Sequence, residues 1–343
     1  MVPRGIRLAG SRWIASRQSA RLDQQLAALA GGHGTIVAGP WLGEVGFELL
    51  YWVPFLRWFA ERFAVPAERI LVLSRGGTQA WYSPFAGQYA DVFDQVTPDT
   101  FRDQHDARVR RLGEQKQTQL TEFDRELLAG ATSAARIVSW SLLHPSSMYA
   151  LFNPFWWGHL STQWVHRHAR YARLQPPPQS EATLPETTLP EMALPSEPYA
   201  AVKFYYNECF PPTDRNRAFV RDVTEALASV GPVVALHSGL RIDDHAGERV
   251  EAHGVRHLPE GLDPARNLLV QSAIVAGARE FVGTYGGFSY LAPFSGVRST
   301  AFYSHAAGFS PRHLTMARDA LTSIGDGGLL QVRDVVEGIG RGQ

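Results

Sequence analysis

Residues Phe281-Val-Gly-Thr-Tyr-Gly-Gly-Phe-Ser-Tyr-Leu-Ala-Pro-Phe-Ser-Gly-Val-Arg-Ser-Thr-Ala-Phe-Tyr303 decide the fold. They read as the end of a strand, a glycine turn, a short helix, a glycine stop and a further strand. Glycine lacks a Cβ, so the turn Gly283-Thr284-Tyr285-Gly286-Gly287 lets the backbone approach a bulky group closely. The spacing predicts a helix starting near Phe288 or Ser289. Its first N–H groups have no partner within the helix, and its dipole places partial positive charge there. Such a terminus can seat a phosphate, with Thr284 and Ser289 adding hydroxyls. A tight strand-to-helix turn with no ligand is the other reading of the same residues.

Working outward, Tyr199 to Tyr206 reads as a strand, Asp214 to Val230 as a helix, and Pro232 to His237 and Val255 to Leu258 as strands. Asn267 to Ala278 is a helix that leads into Phe281. The tail 311–337 is expected to be helical in part. Alternating strands and helices predict a parallel sheet. The first half repeats the pattern. Thr35 to Ala38 and Arg69 to Ser74 are apolar strands, and Ile137 to Trp140 is a third candidate. A helical run from Phe47 carries Pro54, which predicts a kink near Val53. Residues 105–131 form a charged helical stretch, and 148–171 are dense in aromatic residues. Leu22, Leu26 and Leu29 predict a helix closed by Gly31-Gly32. Closely spaced prolines over 174–198 forbid helix and predict an extended linker. The expected division is a basic helical segment 1–34, an α/β domain 35–173, the linker 174–198 and an α/β domain 199–343. The fold class is therefore α/β, with two Rossmann-like parallel-sheet domains.

The 343 residues carry 33 basic and 33 acidic side chains, a net charge of zero, which argues against a nucleic-acid binder. The single cysteine, Cys209, excludes an internal disulfide framework and a multi-cysteine metal site. No run of 18 apolar residues is present, so no transmembrane helix is expected. The expected location is cytoplasmic. Arginines at 4, 7, 12, 17 and 21 and nine tryptophans raise a second expectation, peripheral contact at the inner face of a membrane. The aromatic run serves equally as buried core.

The segment 281–303 resembles the donor-diphosphate loop of GT-B glycosyltransferases, in particular the heptosyltransferase-like group. The matching positions are Gly286, Gly287, Ser289, Leu291, Ala292, Gly296 and Thr300 to Phe302. That group has an acidic residue and a threonine entering the turn. Tyr285 and Gly286 stand there in this chain, which leaves the sugar open. The resemblance implies two domains facing a cleft and transfer of a sugar from a nucleotide-diphosphate donor to an acceptor hydroxyl, with inversion. The donor would lie on Thr284, Tyr285, Gly286, Gly287 and Ser289, and the acceptor against the first domain near Trp41, Gly43 and Gly46. No cofactor is expected beyond the nucleotide-sugar co-substrate. The acceptor class runs from a glycan or small molecule to a lipid-linked sugar. A non-catalytic nucleotide- or sugar-binding protein of the same fold, and a sugar-nucleotide epimerase or hydrolase, remain as alternatives.

The loop Gly39-Pro-Trp-Leu-Gly-Glu-Val-Gly46 follows the first strand and carries Glu44, with Glu48 just beyond it. An inverting transfer needs a base beside the acceptor hydroxyl. Glu44, within the loop, is the first candidate. Glu48 is the second, or serves the helix start by its charge. Lys203 lies in the strand Tyr199 to Tyr206, near whose carboxyl end the resembling family places a cation on the diphosphate, with Arg215 or Arg217 as substitutes. Lysine at a sheet edge can also snorkel to water. His237 ends the next strand, where the family places the donor base or ribose, and structural histidines are common. Asp243-Asp244-His245 has metal-ligand residue types but no fourth clustered partner, so no metal is expected. The glycines at 31, 32 and 34 precede a strand, the wrong order for a dinucleotide fingerprint. No nucleophile elbow and no Walker lysine are present.

Overall fold

The computed structural model describes residues 4–113, 116–176, 194–240, 247 and 249–335, with side chains from Arg17 onward, Gln18 apart. Most of the proline-rich segment, 177–193, and Asp243-Asp244-His245 lie outside the described residues. The chain forms two compact units. One comprises 1–43, 47–96 and 103–171, the other 44–46, 97–102 and 172–343.

The first unit is built on a parallel sheet of β1 (Thr35–Ala38), β2 (Ile70–Ser74), β3 (Gln88–Asp91) and β4 (Trp140–Leu143). Their order is β3-β2-β1-β4. Every residue of β2 is buried, as are Ile36, Val37 and Ala38 of β1. A central parallel strand is covered on both faces, which explains these unbroken apolar runs. Strand order reverses beside β1, between β2 and β4. The fourth strand lies further along the chain than the apolar run Ile137 to Trp140 predicts. The helix Glu122–Ala134 ends with Arg136 at φ +55°, and the Ile137 N–H turns back to the Thr132 carbonyl at 2.9 Å. Pairing with Thr35 therefore starts only at Trp140.

The run from Phe47 is not one kinked helix. A turn, Val45–Phe47, passes into a π-helical segment, Glu48–Trp52, and then the α-helix Val53–Arg62, with Pro54 in its first turn. Proline suits a first turn because its missing N–H is not needed there. The preceding residues absorb the mismatch by widening. The expected charged stretch 105–131 divides into Pro98–Leu112 and Glu122–Ala134, the second opened by a Thr121–Asp124 capping box. The N-terminal helix, Arg4–Gly31, packs on the helix Pro145–Trp156. Tyr149, Phe152 and Phe155 of that helix are core, whereas Trp157 beyond it is exposed.

The second unit holds β5 (Ala200–Lys203), β6 (Val233–Ala235), β7 (Val255–His257), β8 (Glu280–Thr284), β9 (Arg298–Tyr303) and β10 (Leu330–Asp334). All pairs are parallel, in the order β10-β9-β8-β5-β6-β7. Counted from β5 as the first strand, this is the 3-2-1-4-5-6 order of the Rossmann fold. The order reverses between β5 and β8, and a crevice at their carboxyl ends is where ligands bind in such sheets. The tail holds the helix Pro311–Ser323 and then β10, a strand the sequence reading did not separate from the helix.

Candidate functional site

The reversal point of the second unit is built by the stretch 281–303. Gly283 and Thr284 belong to β8 rather than to the turn, and Gly283 pairs with Lys203 of β5. A side chain on Gly283 would strike the Lys203 carbonyl, so close strand approach accounts for that glycine. The Thr284 hydroxyl is fully buried. It donates to the Tyr205 carbonyl at 2.8 Å and accepts from the Tyr205 N–H at 3.1 Å, pinning the two strand ends together. The turn shrinks to Tyr285-Gly286, and the helix begins at Gly287 and runs to Phe294. Gly296, at φ +79°, ends it before β9.

Ser289 is fully buried and caps this helix. Its hydroxyl donates to the Gly286 carbonyl at 2.6 Å and accepts the Gly286 N–H at 3.2 Å. The Ser289 N–H also donates to Gly286, at 3.0 Å. The N–H groups of Gly287 and Phe288, in the first turn, have no acceptor inside the helix. The Gly286 Cα lies so close to the Tyr205 hydroxyl that a Cβ there would collide with it. A Cβ on Gly287 would come within 2.6 Å of the Gly46 nitrogen and 3.1 Å of the Val45 Cβ, and Glu44–Gly46 groups with this unit. Tyr285 is buried. Its ring stacks on Phe309 at 4.7 Å, its hydroxyl accepts from Tyr290 at 2.7 Å, and burial pushes its pKa up to about 12.

Lys203 places its ammonium 3.8 Å over the Phe288 ring and donates to Gln271 Oε1 at 2.6 Å. It is therefore tied to the first turn of the glycine-loop helix and is not a lysine snorkelling from a sheet edge. His237 and Lys203 line one small pocket with Val202, Phe204, Thr224 and Val250. Arg217 lies 5.0 Å over Tyr206, which stacks on Phe210. The loop thus gathers Lys203, Thr284, Tyr285, Gly286, Gly287 and Ser289, whereas the small pocket lined by His237 includes no residue of 284–289. Arg217 sits on the neighbouring helix, Asp214–Val230.

The two loop carboxylates have opposite surroundings. Glu44 is exposed. Glu48, the first residue of the π-helical segment, is fully enclosed. Its Oε1 accepts from the Ser74 hydroxyl at 2.6 Å and from the Tyr82 hydroxyl, and its Oε2 has no hydrogen-bond partner. Burial raises the Glu48 pKa from 4.5 to about 7, against the opposing pull of Ser74, Tyr82 and Arg75. Glu48 is thus no solvated helix-start acid. Trp41 is fully buried, stacked between Trp52 at 5.8 Å and Tyr149 at 6.1 Å, so it belongs to the packing of the unit. Gly43 is half-buried against the Trp41 ring, and Gly46 lies against Gly287 and Tyr290.

Tyr205, Ser74, Tyr82, Arg75 and Gln117 escape the sequence reading. The polar pair Ser74-Arg75, closing an apolar strand before Gly76-Gly77, was the one available signal. Gln117 lies in a stretch without pattern. Among the described residues, no group of three His, Cys, Asp or Glu side chains could hold a metal ion, and no helix is long and apolar enough to cross a membrane.

No family model matches the chain, and no curated protein does. Among solved structures, it is similar to a glycosyl transferase of family 9 from Veillonella parvula DSM 2008, at 10% identity and TM-score 0.47, over 91% of this chain and 89% of that one. It is also similar to the ADP-heptose lps heptosyltransferase II of E. coli, at 13% identity and TM-score 0.44, over 82% and 88%. A third is the E. coli heptosyltransferase WaaC with ADP, at 12% identity and TM-score 0.42, over 88% and 92%.

Proposed function

We propose that this chain is a glycosyltransferase of the GT-B type that moves a sugar from a nucleoside-diphosphate donor to an acceptor hydroxyl with inversion. The observation that carries the reading is the reversal point of the second unit. There the glycine turn Tyr285-Gly286 opens a helix whose first N–H groups lie at the carboxyl end of β8, with Lys203 over that first turn. A leaving diphosphate needs positive charge where its own negative charge develops, and a helix N-terminus with a lysine supplies it. Arg217 and His237 extend this donor side. Glu44 is the base, because it is the exposed carboxylate of its loop, whereas Glu48 is enclosed. Trp41 and Gly43 shape the acceptor loop from beneath, and Gly46 flanks Gly287. On this reading transfer requires no metal ion. The acceptor is a glycan, a small molecule or a lipid-linked sugar, and in the last case Trp157 and the exposed Arg17 and Arg21 meet an anionic membrane surface.

Calorimetry with UDP, GDP, ADP, CMP and dTDP, followed by turnover assays with the matching nucleotide sugars with and without acceptors, tests the proposal. One nucleoside diphosphate binds, Gly287→Val weakens it, and Glu44→Gln lowers turnover by about 10²–10⁴-fold with donor affinity kept. Failure of every nucleotide to bind overturns the donor site. Binding without transfer or hydrolysis leaves a nucleotide-binding protein of the same fold. Conversion of a nucleotide sugar without an acceptor makes the chain an epimerase or hydrolase.

A further inference from the structure

Five consecutive residues before Glu44 are held through their backbone. The Gly39 N–H donates to the Leu143 carbonyl of β4 at 3.1 Å, and the Trp41 N–H to the Leu73 carbonyl of β2 at 2.9 Å. Gln117 takes one group on either side of Trp41. Its Nε2 donates to the Pro40 carbonyl at 2.9 Å, and its Oε1 accepts the Leu42 N–H at 2.8 Å. Arg75 Nη2 closes the series by donating to the Gly43 carbonyl at 2.7 Å. Gln117 is 0% exposed and Arg75 1% exposed. Within two residues, the chain passes from Leu42, 4% exposed, to the exposed Glu44.

Burying a guanidinium and a primary amide is costly unless each polar atom is matched. Connecting loops ordinarily run over the surface and leave their backbone to water. Here two long polar side chains, distant in sequence, are spent on three backbone groups of one short loop. We infer that Gln117 and Arg75 are positioning residues that hold Gly39–Gly43 as a rigid arm and so fix the place of Glu44. This rests on the reading of Glu44 as the base. Gln117 matches the loop in both directions, donating to one peptide group and accepting from another, so no apolar residue of its size can replace it. Arg75 grips the carbonyl of the peptide whose nitrogen belongs to Glu44. Its guanidinium lies close enough to Glu48 to interact with that carboxylate electrostatically. A base misplaced by about 1 Å can lose on the order of 10²-fold in rate, so a fixed arm has catalytic value.

The test measures kcat and donor KM for the full-length wild type, Gln117→Ala and Gln117→Glu, with the productive nucleotide sugar and acceptor, from pH 5 to 8. Gln117→Ala strands the Leu42 N–H and the Pro40 carbonyl. It lowers kcat by about 10- to 100-fold with donor KM changed less than about twofold. A protonated glutamic acid at 117 can donate to Pro40 and accept from Leu42 as the amide does, and an ionised one cannot donate. Gln117→Glu is therefore near wild type at acid pH and loses kcat relative to the wild type at the same pH as pH rises, the Glu48 ionisation near 7 being common to both proteins. This second variant keeps the test decisive if the alanine protein fails to fold. Unchanged kcat in both variants overturns the inference, as does a loss of activity that only follows the unfolded fraction. An active wild type with insensitive variants leaves the glycosyl-transfer reading intact. A wild type inactive with every nucleotide sugar overturns that reading and this inference with it.

Discussion

The Tyr171 hydroxyl donates to the Leu50 carbonyl at 2.8 Å, a bond that joins residues 121 apart in sequence. Leu50 lies in the π-helical segment, four residues before Pro54, which has no N–H to return to that carbonyl. Tyr171 supplies the missing donor, and the next peptide along, Arg170, donates its N–H to the Pro54 carbonyl at 2.9 Å. Tyr171→Phe should lower the unfolding free energy by about 1–2 kcal/mol, the penalty for a buried acceptor left unmatched. The denaturant midpoint reads it, and an unchanged midpoint shows that water replaces the hydroxyl.

Glu48 makes stability depend on pH in a definite direction. Its pKa is raised by burial from 4.5 to about 7, so the folded state holds a proton that the unfolded state releases. Stability contributed by this group is complete below pH 4.5 and is lost as pH climbs through about 7. Glu48→Gln, neutral and of the same shape, should match the wild type near pH 5 and exceed it near pH 8, by up to about 3 kcal/mol. Urea titrations at both values decide it. A gap that does not change with pH places the proton elsewhere, and Asp91, raised by burial to about 6, is the next carboxyl to test.

Gly286→Ala sets a methyl group against the Tyr205 hydroxyl. The expected outcome is a nucleoside-diphosphate affinity reduced at least about tenfold, because the loop must shift to admit the new atom. Gly286→Ala combined with Tyr205→Phe should regain part of the loss. Calorimetry on the single and double variants checks this, and equal affinities in all of them detach the turn from the ligand.

Lys203→Met keeps length but removes the charge over Phe288 and the bond to Gln271. If the ammonium meets the diphosphate, affinity for the nucleoside diphosphate drops about tenfold or more, its salt dependence shrinks, and affinity for the bare nucleoside is untouched. Equal losses for nucleoside and nucleoside diphosphate would make Lys203 a strut for Phe288 alone.

Metal removal separates two ways of stabilising the leaving group. With the helix N-terminus and Lys203 in that role, turnover should be the same before and after treatment with EDTA. Activity lost to the chelator and restored by a divalent cation would require a metal in the reaction.

Much of the architecture can be read in the sequence. Unbroken apolar runs such as Ile70 to Leu73 announce buried parallel strands, and the punctuation from Gly283 to Gly296 marks strand, turn, helix and strand to within a residue or two. These signals are local: side-chain shape, backbone freedom and a missing N–H act within a few residues of where they are written. They also single out the loop holding Glu44 and Glu48 and the strand that carries Lys203.

The order β10-β9-β8-β5-β6-β7, and with it the reversal point that brings Lys203 beside Gly283, comes from pairing between strands far apart in the chain. The opposite environments of Glu44 and Glu48 were decided there too. Side chains of one type four residues apart differ only because Ser74 and Tyr82 close over the second. Gln117 had no pattern to betray it, since its partners, Pro40 and Leu42, are backbone groups more than seventy residues away. A sequence states which groups are present and how they bend the chain locally. Burial, and the pKa values and hydrogen bonds that follow from it, depends on which distant segments arrive around each group, and only the folded chain determines that.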